Sequence, residues 1–193
     1  MVHKGTKVLE TDRLVLRKFT MEDAKPMFHA WASDPEVTKY LTWPTHGSVA
    51  ITEMVMKDWV DGYERPDHYK WAITWKESGE LMGDISACQV WDHVCAAEIG
   101  YCMGRKWWRQ GVMTEALKAV VDYLIGEVGM NKVGARHDPK NVGSGRVMQK
   151  AGMTYEGTLR QCDRNNLGIC DAAHYSILRE EWEKRAASAD NAF

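Results

Sequence analysis

The sequence predicts a mixed α/β, or α+β, fold with one sheet in a single domain, and three observations predict it. The chain has 193 residues, and a domain usually holds ~100–200. Hydrophobic residues make up 45% and charged residues 27%, the balance of a globule with a core and not of a disordered or collagen-like chain. Segments of period two alternate with segments of period near 3.6, in the order strand, helices, three strands, helix, strand, helix, two strands.

Residues 12–17 set Leu14 and Leu16 against polar neighbours, as a half-buried strand does. Thr20 follows as an N-cap, with Glu22 and Asp23 in the first helical turn. Pro26 has no backbone N–H, so that helix must kink or begin late. Asp34-Pro35 reads as a second N-cap with proline at the first helical position. Ile51, Met54, Val55, Trp59 and Tyr63 recur on one helical face, which makes 48–63 an amphipathic helix. Two strands, 70–75 and 81–88, form a hairpin across Glu77-Ser78-Gly79-Glu80, and 95–103 is the next strand. The strongest helix is 114–128, striped by Ala116, Leu117, Val120, Val121, Leu124, Ile125 and Val128. A strand at 132–137 and a helix at 142–151 follow, with Gly152 at its C′ position. Residues 156–161 and 171–178 complete the strands. After Trp182 the composition turns charged, then rich in Ala, Ser, Asp and Asn. The domain is therefore expected over 8–183, with 184–193 as a frayed tail.

Charge excludes some partners. The net charge of −2 and pI near 6.4 argue against a surface built for bulk phosphate, so no nucleic-acid partner is expected. No apolar run approaches the ~20 residues of a membrane helix, and the first residues lack the apolar core of a secretory signal. The five cysteines, Cys88, Cys95, Cys102, Cys162 and Cys170, are odd in number and contain no CxxC pair, which points to a reduced, cytoplasmic setting. The seven-residue spacing of the first three is wider than structural zinc sites use. Buried thiols and no metal are the expectation.

Two segments carry chemistry. In 107–117, Gly111 permits a close backbone approach, Arg109 adds positive charge, and the following helix directs unpaired N–H groups at the turn. A pyrophosphate suits that turn; a plain turn capped by Thr114 is the structural alternative. In 141–153, Asn141 is placed to cap a helix and Ser144 lies one turn on. Gly143 and Gly145 each cost roughly 1 kcal/mol against Ala in a helix, which suggests a close neighbour.

Together these segments resemble the GCN5-related N-acetyltransferases, in the branch of the ribosomal-protein-alanine acetyltransferases. The likeness runs from Glu10 to about Trp182. It is carried by TDRL at 11–14, AEIGY at 97–101, RQGVMTEA at 109–116, Asn141-x-x-Ser144 with KAGM at 150–153, EGTLR at 156–160 and YSILREEW at 175–182. The resemblance implies a mostly antiparallel mixed sheet, flanked by helices and splayed open after the strand of Glu98. Acetyl-CoA would lie in the splay as co-substrate. Its pantetheine would pair with strand backbone at Cys102 and Met103. Its pyrophosphate would rest on the amides of Arg109, Gln110, Gly111, Val112, Met113 and Thr114, with Asn141 on the pantetheine arm. The implied activity moves an acetyl group to a primary amine, on a protein N-terminus or a small molecule, by direct attack in a ternary complex. Together with the surplus of Trp and Met, the resemblance also implies a homodimer.

The chain departs from the family at Trp108 and Met113 of the loop. It departs again at Met148, where other branches place a tyrosine acid; Ser144 is the replacement the branch suggests. An ammonium must lose its proton before it attacks a thioester, and a carboxylate can accept it. Glu98 and Asp163 are the candidates, the alternatives being a strand carboxylate paired with Arg or Lys and a solvated turn residue. A backbone N–H near Met103 would hold the oxyanion, and Ser144 would assist the departing thiolate. His137 reads as a polar strand-edge residue near the cofactor; His46, Trp43 and Tyr40 read as lining the acceptor mouth. Two rival readings are a non-catalytic acyl-CoA-binding module and a nucleotide- or phosphoprotein-binding domain, the latter disfavoured by the lack of a Walker lysine.

Overall fold

A computed structural model describes residues 1–190. The strands are β1 (Leu9–Glu10), β2 (Leu14–Arg17), β3 (Lys70–Trp75), β4 (Leu81–Trp91), β5 (Ala96–Met103), β6 (Lys132–His137), β7 (Thr154–Asn165) and β8 (Gly168–Leu178). They form one sheet in the order β1-β2-β3-β4-β5-β6-β8-β7. Only β5 and β6 run parallel, because the chain between them crosses over through a helix. Their pairing joins Ala96–Ile99 to Lys132–Ala135 and stops there. β5 continues to Met103 on β4 alone, and β6 continues to His137 on β8 alone. The sheet therefore opens at Ile99 and Ala135.

Side-chain alternation gives the opening two faces. Ala97, Ile99 and Met103 join the larger core with α4 (Val112–Asp122) and Met148 of α5 (Val142–Lys150). Cys102 joins a second core on the other face, with α1 (Ala24–Met27) and α3 (Val49–Gly62). The stripe expected on α4 is buried throughout, and the helix continues as a π-helical segment, Tyr123–Val128, to Gly129 at φ 89°.

Several expectations are corrected in detail. Pro26 sits in the first turn of α1, behind a 3-10 turn at Met21–Asp23, where its missing N–H leaves no helical bond unmade. Thr20 caps that start, with the Asp23 carboxylate accepting its backbone N–H at 2.8 Å. On α3 the fully buried residues are Thr52 and Met56, whereas Ile51 and Met54 of the predicted face are exposed; Trp59 and Tyr63 pack against the second core as expected. β4, β7 and β8 are longer than periodicity indicates, because their outer ends alternate less strictly. α2 (Pro35–Thr38) is capped by Asp34 as expected. Residues 184–190, read as tail, belong to α6 (Arg179–Asp190), and 191–193 lie outside the described residues. Of the cysteines only Cys102 is buried; Cys88 and Cys162 are exposed. No described helix is long and apolar enough to cross a membrane.

Candidate active site

The edge of β5 that faces the opening is defined by hydrogen-bond alternation. Gly104 N–H bonds Met82 O on β4, so in this register Cys102 pairs its backbone with Asp84. The N–H and C=O of Tyr101 and Met103 point the other way, into the opening. This corrects the placement of pantetheine pairing at Cys102, whose carbonyl would stand 2.4 Å from a Cβ added at Gly83. Tyr101 and Met103 are the residues whose backbone faces the opening. Trp108, the departure in the loop, donates its indole N–H to Met103 O at 2.8 Å and so ties the turn back to the strand.

The turn leads into α4, which begins at Val112, two residues earlier than expected, with Gly111 and not Thr114 at the N-cap. Gly111 has φ 78° and Arg109 φ 62°. A left-handed non-glycine residue is an outlier of the kind that clusters at binding sites. The first helical N–H groups have no partner within the helix. Val112 and Met113 bury their side chains in the core, so they offer the turn only their amides. Arg13 braces the arrangement: it pairs with Glu115 at 2.7 Å and donates to Gln110 O at 3.2 Å. Gly111→Val is expected to weaken acetyl-CoA binding in a calorimetric titration and to cost about 1–2 kcal/mol of stability, since a side chain there forces the left-handed penalty. Unchanged affinity would contradict the role of the turn.

On α5, Asn141 is the N-cap and its Oδ1 accepts Ser144 N–H at 3.4 Å, the structural role that its residue type suggests. The Tyr101 hydroxyl lies 2.9 Å from Ser144 Oγ and donates to Ser144 O at 3.0 Å. Met148 is buried in the core. The two helical glycines differ. A Cβ at Gly145 would stand 2.8 Å from Cε1 and Nε2 of His137, whereas one at Gly143 would meet only Asn141 Oδ1 at 3.7 Å. Gly145→Ala should therefore cost about 1–3 kcal/mol by overpacking. Gly143→Ala should stabilise by roughly 0.5–1 kcal/mol. Urea denaturation of the ligand-free protein checks both, and equal shifts would contradict this reading.

On the opposite face, Glu98 and Asp163 are brought together by a residue the sequence reading missed. Arg136, near the end of β6, ion-pairs Glu98 through Nη1, and its Nε donates to Asp163 Oδ2 at 2.6 Å. Asp163 lies on β7, not in a solvated turn. Burial pushes its carboxyl upward, but Arg136 and the Arg164 N–H outweigh that and hold it below the usual carboxylate range. Both Asp163 oxygens are engaged, Oδ1 by Arg164 N–H at 2.8 Å. The Glu98 side chain is 14% exposed. Two carboxylates therefore share one guanidinium. Arg136 was legible only as a charged residue at an alternating strand position.

The β7–β8 tip bounds a groove of about 640 Å³ lined by Thr42 and residues 163–168. Asn166 donates its amide to Thr38 O and Trp43 O, each at 2.8 Å, and joins the tip to the loop before α3. Thr42 lines this groove, and Trp43 meets its rim through the carbonyl that Asn166 holds. His46 does not line a mouth: it is buried, with Nδ1 2.8 Å from Thr52 Oγ1, and burial lowers its pKa.

A sheet parted beside an amide-rich turn defines the class, and comparison with known proteins agrees. Residues 13–154 match the family model described as acetyltransferase (GNAT) domain. The chain is 32% identical over 172 residues to the uncharacterized N-acetyltransferase YoaA of Bacillus subtilis, covering 89% of this chain and 97% of that one. The structure of a GNAT-family acetyltransferase from Bacillus anthracis superposes with TM-score 0.80 at 26% identity, over 91% of this chain and 100% of that one. RimL, a ribosomal L7/L12 alpha-N-protein acetyltransferase solved with coenzyme A, has TM-score 0.81 at 18% identity, over 91% and 99%, a likeness of fold. The chain belongs to the GNAT acetyltransferase family.

Proposed function

We propose that this enzyme transfers the acetyl group of acetyl-CoA to a primary amine by direct attack within a ternary complex. The observation that carries the reading is the opening of the sheet at Ile99 and Ala135, with Glu98 immediately before it on one face and Ser144 across it on the other. The amides of Arg109 through Thr114 suit a pyrophosphate, and coenzyme A is what the RimL structure holds. Glu98 accepts the ammonium's proton, directly or by way of water. Asp163 and Arg136 hold it in place. A backbone N–H facing the opening, at Tyr101 or Met103, stabilises the tetrahedral oxyanion, and Ser144 assists the thiolate. The acceptor is a protein N-terminus, as RimL's name gives for that protein, or a small-molecule amine. No metal enters this mechanism.

A screen of small amines and peptide N-termini for free-thiol release from acetyl-CoA tests the proposal. Release that depends on the amine, with the acetylated amine found by mass spectrometry, is expected. Binding of acetyl-CoA without release for any amine would favour a non-catalytic acyl-CoA-binding module.

A further inference from the structure

Tyr101 is the second residue of β5 beyond its last pair with β6. Its backbone faces the opening, and its ring packs against the larger core. Its hydroxyl has two partners on α5, Ser144 O at 3.0 Å and Ser144 Oγ at 2.9 Å. The phenol has one proton to place between them. When it goes to the carbonyl, the phenol oxygen accepts the serine proton and Ser144 is turned inward. When it goes to Oγ, the serine proton is free to point into the opening. The first arrangement makes two hydrogen bonds and the second makes one, so the change is balanced only when the serine proton finds an acceptor in the opening, as a thiolate there would be.

We propose that Tyr101 is a positioning residue that turns the Ser144 hydroxyl proton toward the sulfur of the cofactor as negative charge develops there. This deepens the acetyltransfer reading and rests on it. Glu98 then works on the amine from one face, while the paired hydroxyls work on the sulfur from the other. No proton leaves the tyrosine: both O–H bonds rotate, the phenol's from the carbonyl to Oγ and the serine's from the phenol to the thiolate, to which it donates a hydrogen bond. Burial keeps the phenol protonated throughout, with its pKa pushed well up.

The test is the pH at which the thiol of protein-bound CoA ionises, followed by ultraviolet thiolate absorbance, in the wild type, Tyr101→Phe, Ser144→Ala and the double variant. The bound thiol is expected to ionise at lower pH than free CoA in the wild type. Tyr101→Phe and Ser144→Ala should each remove that shift, and the double variant should remove no more than either. With an acceptor in hand, turnover should fall about 10-fold in all three, the worth of one charge-assisted hydrogen bond, with KM for acetyl-CoA unchanged. A wild-type thiol titration in Tyr101→Phe, or effects that add in the double variant, would overturn the proposal. So would a Tyr101→Phe protein that loses CoA affinity and thermal stability together, which would make the tyrosine a strut. A wild type that binds no CoA would sink the acetyl-CoA reading itself, and the role of Tyr101 with it.

Discussion

Glu98→Gln is expected to lower turnover by about 10²–10⁴-fold, the usual contribution of a general base, while acetyl-CoA affinity holds. The amide keeps the shape of the side chain, and Arg136 keeps its bond to Asp163, so the floor of the site survives the change. Raising the pH should restore part of the lost rate, because more of the amine is then already neutral. Asp163→Asn should cost much less: both Asp163 oxygens are already engaged, and its effect passes through Arg136. Steady-state rates across a pH series check all of this. If Glu98→Gln runs at the wild-type rate and Asp163→Asn does not, the two carboxylates exchange roles.

The largest effect on stability is expected at Asp84. Lys70 and Asp84 are both buried and joined at 2.7 Å. The Lys70 ammonium also lies 3.6 Å from the centre of the Trp59 ring, and Cys102 donates its thiol to the other Asp84 oxygen at 2.8 Å. Burial and the carboxylate push the Cys102 thiol well up, so it stays protonated. Asp84→Leu leaves a buried ammonium without its partner and should cost about 3–5 kcal/mol. Lys70→Met with Asp84→Leu should recover most of that loss, since a well-packed apolar pair often replaces a buried ion pair without penalty. Urea denaturation of the single and double variants measures both. A double variant no more stable than Asp84→Leu would contradict this view of the cluster.

Much of the fold was legible because its elements carry local signals. The Asp34-Pro35 cap, the α4 stripe and Gly152 at φ 86° all announce themselves within a few residues. The start of the α3 face was misjudged because Thr52, a polar residue, faces inward and hydrogen-bonds the buried His46, while Ile51 and Met54 are exposed. In the site, the motif around Gly111 was readable from glycine and helix start. What periodicity could not show was which way a strand backbone points, and that moved the opening's edge from Cys102 to Tyr101. Nor could sequence spacing bring Arg136 between Glu98 and Asp163, a meeting of three strands, β5, β6 and β7. The close neighbour that a helical glycine suggested exists at Gly145 and not at Gly143.

Direct attack in a ternary complex is tested most directly by initial velocities of thiol release with acetyl-CoA and the acceptor amine varied together, alongside the intact mass of the protein after incubation with acetyl-CoA alone. The geometry predicts double-reciprocal lines that intersect and a protein mass with no acetyl added. Parallel lines with an acetylated protein would contradict it, because the acetyl group would then pass through a residue of the chain before reaching the amine.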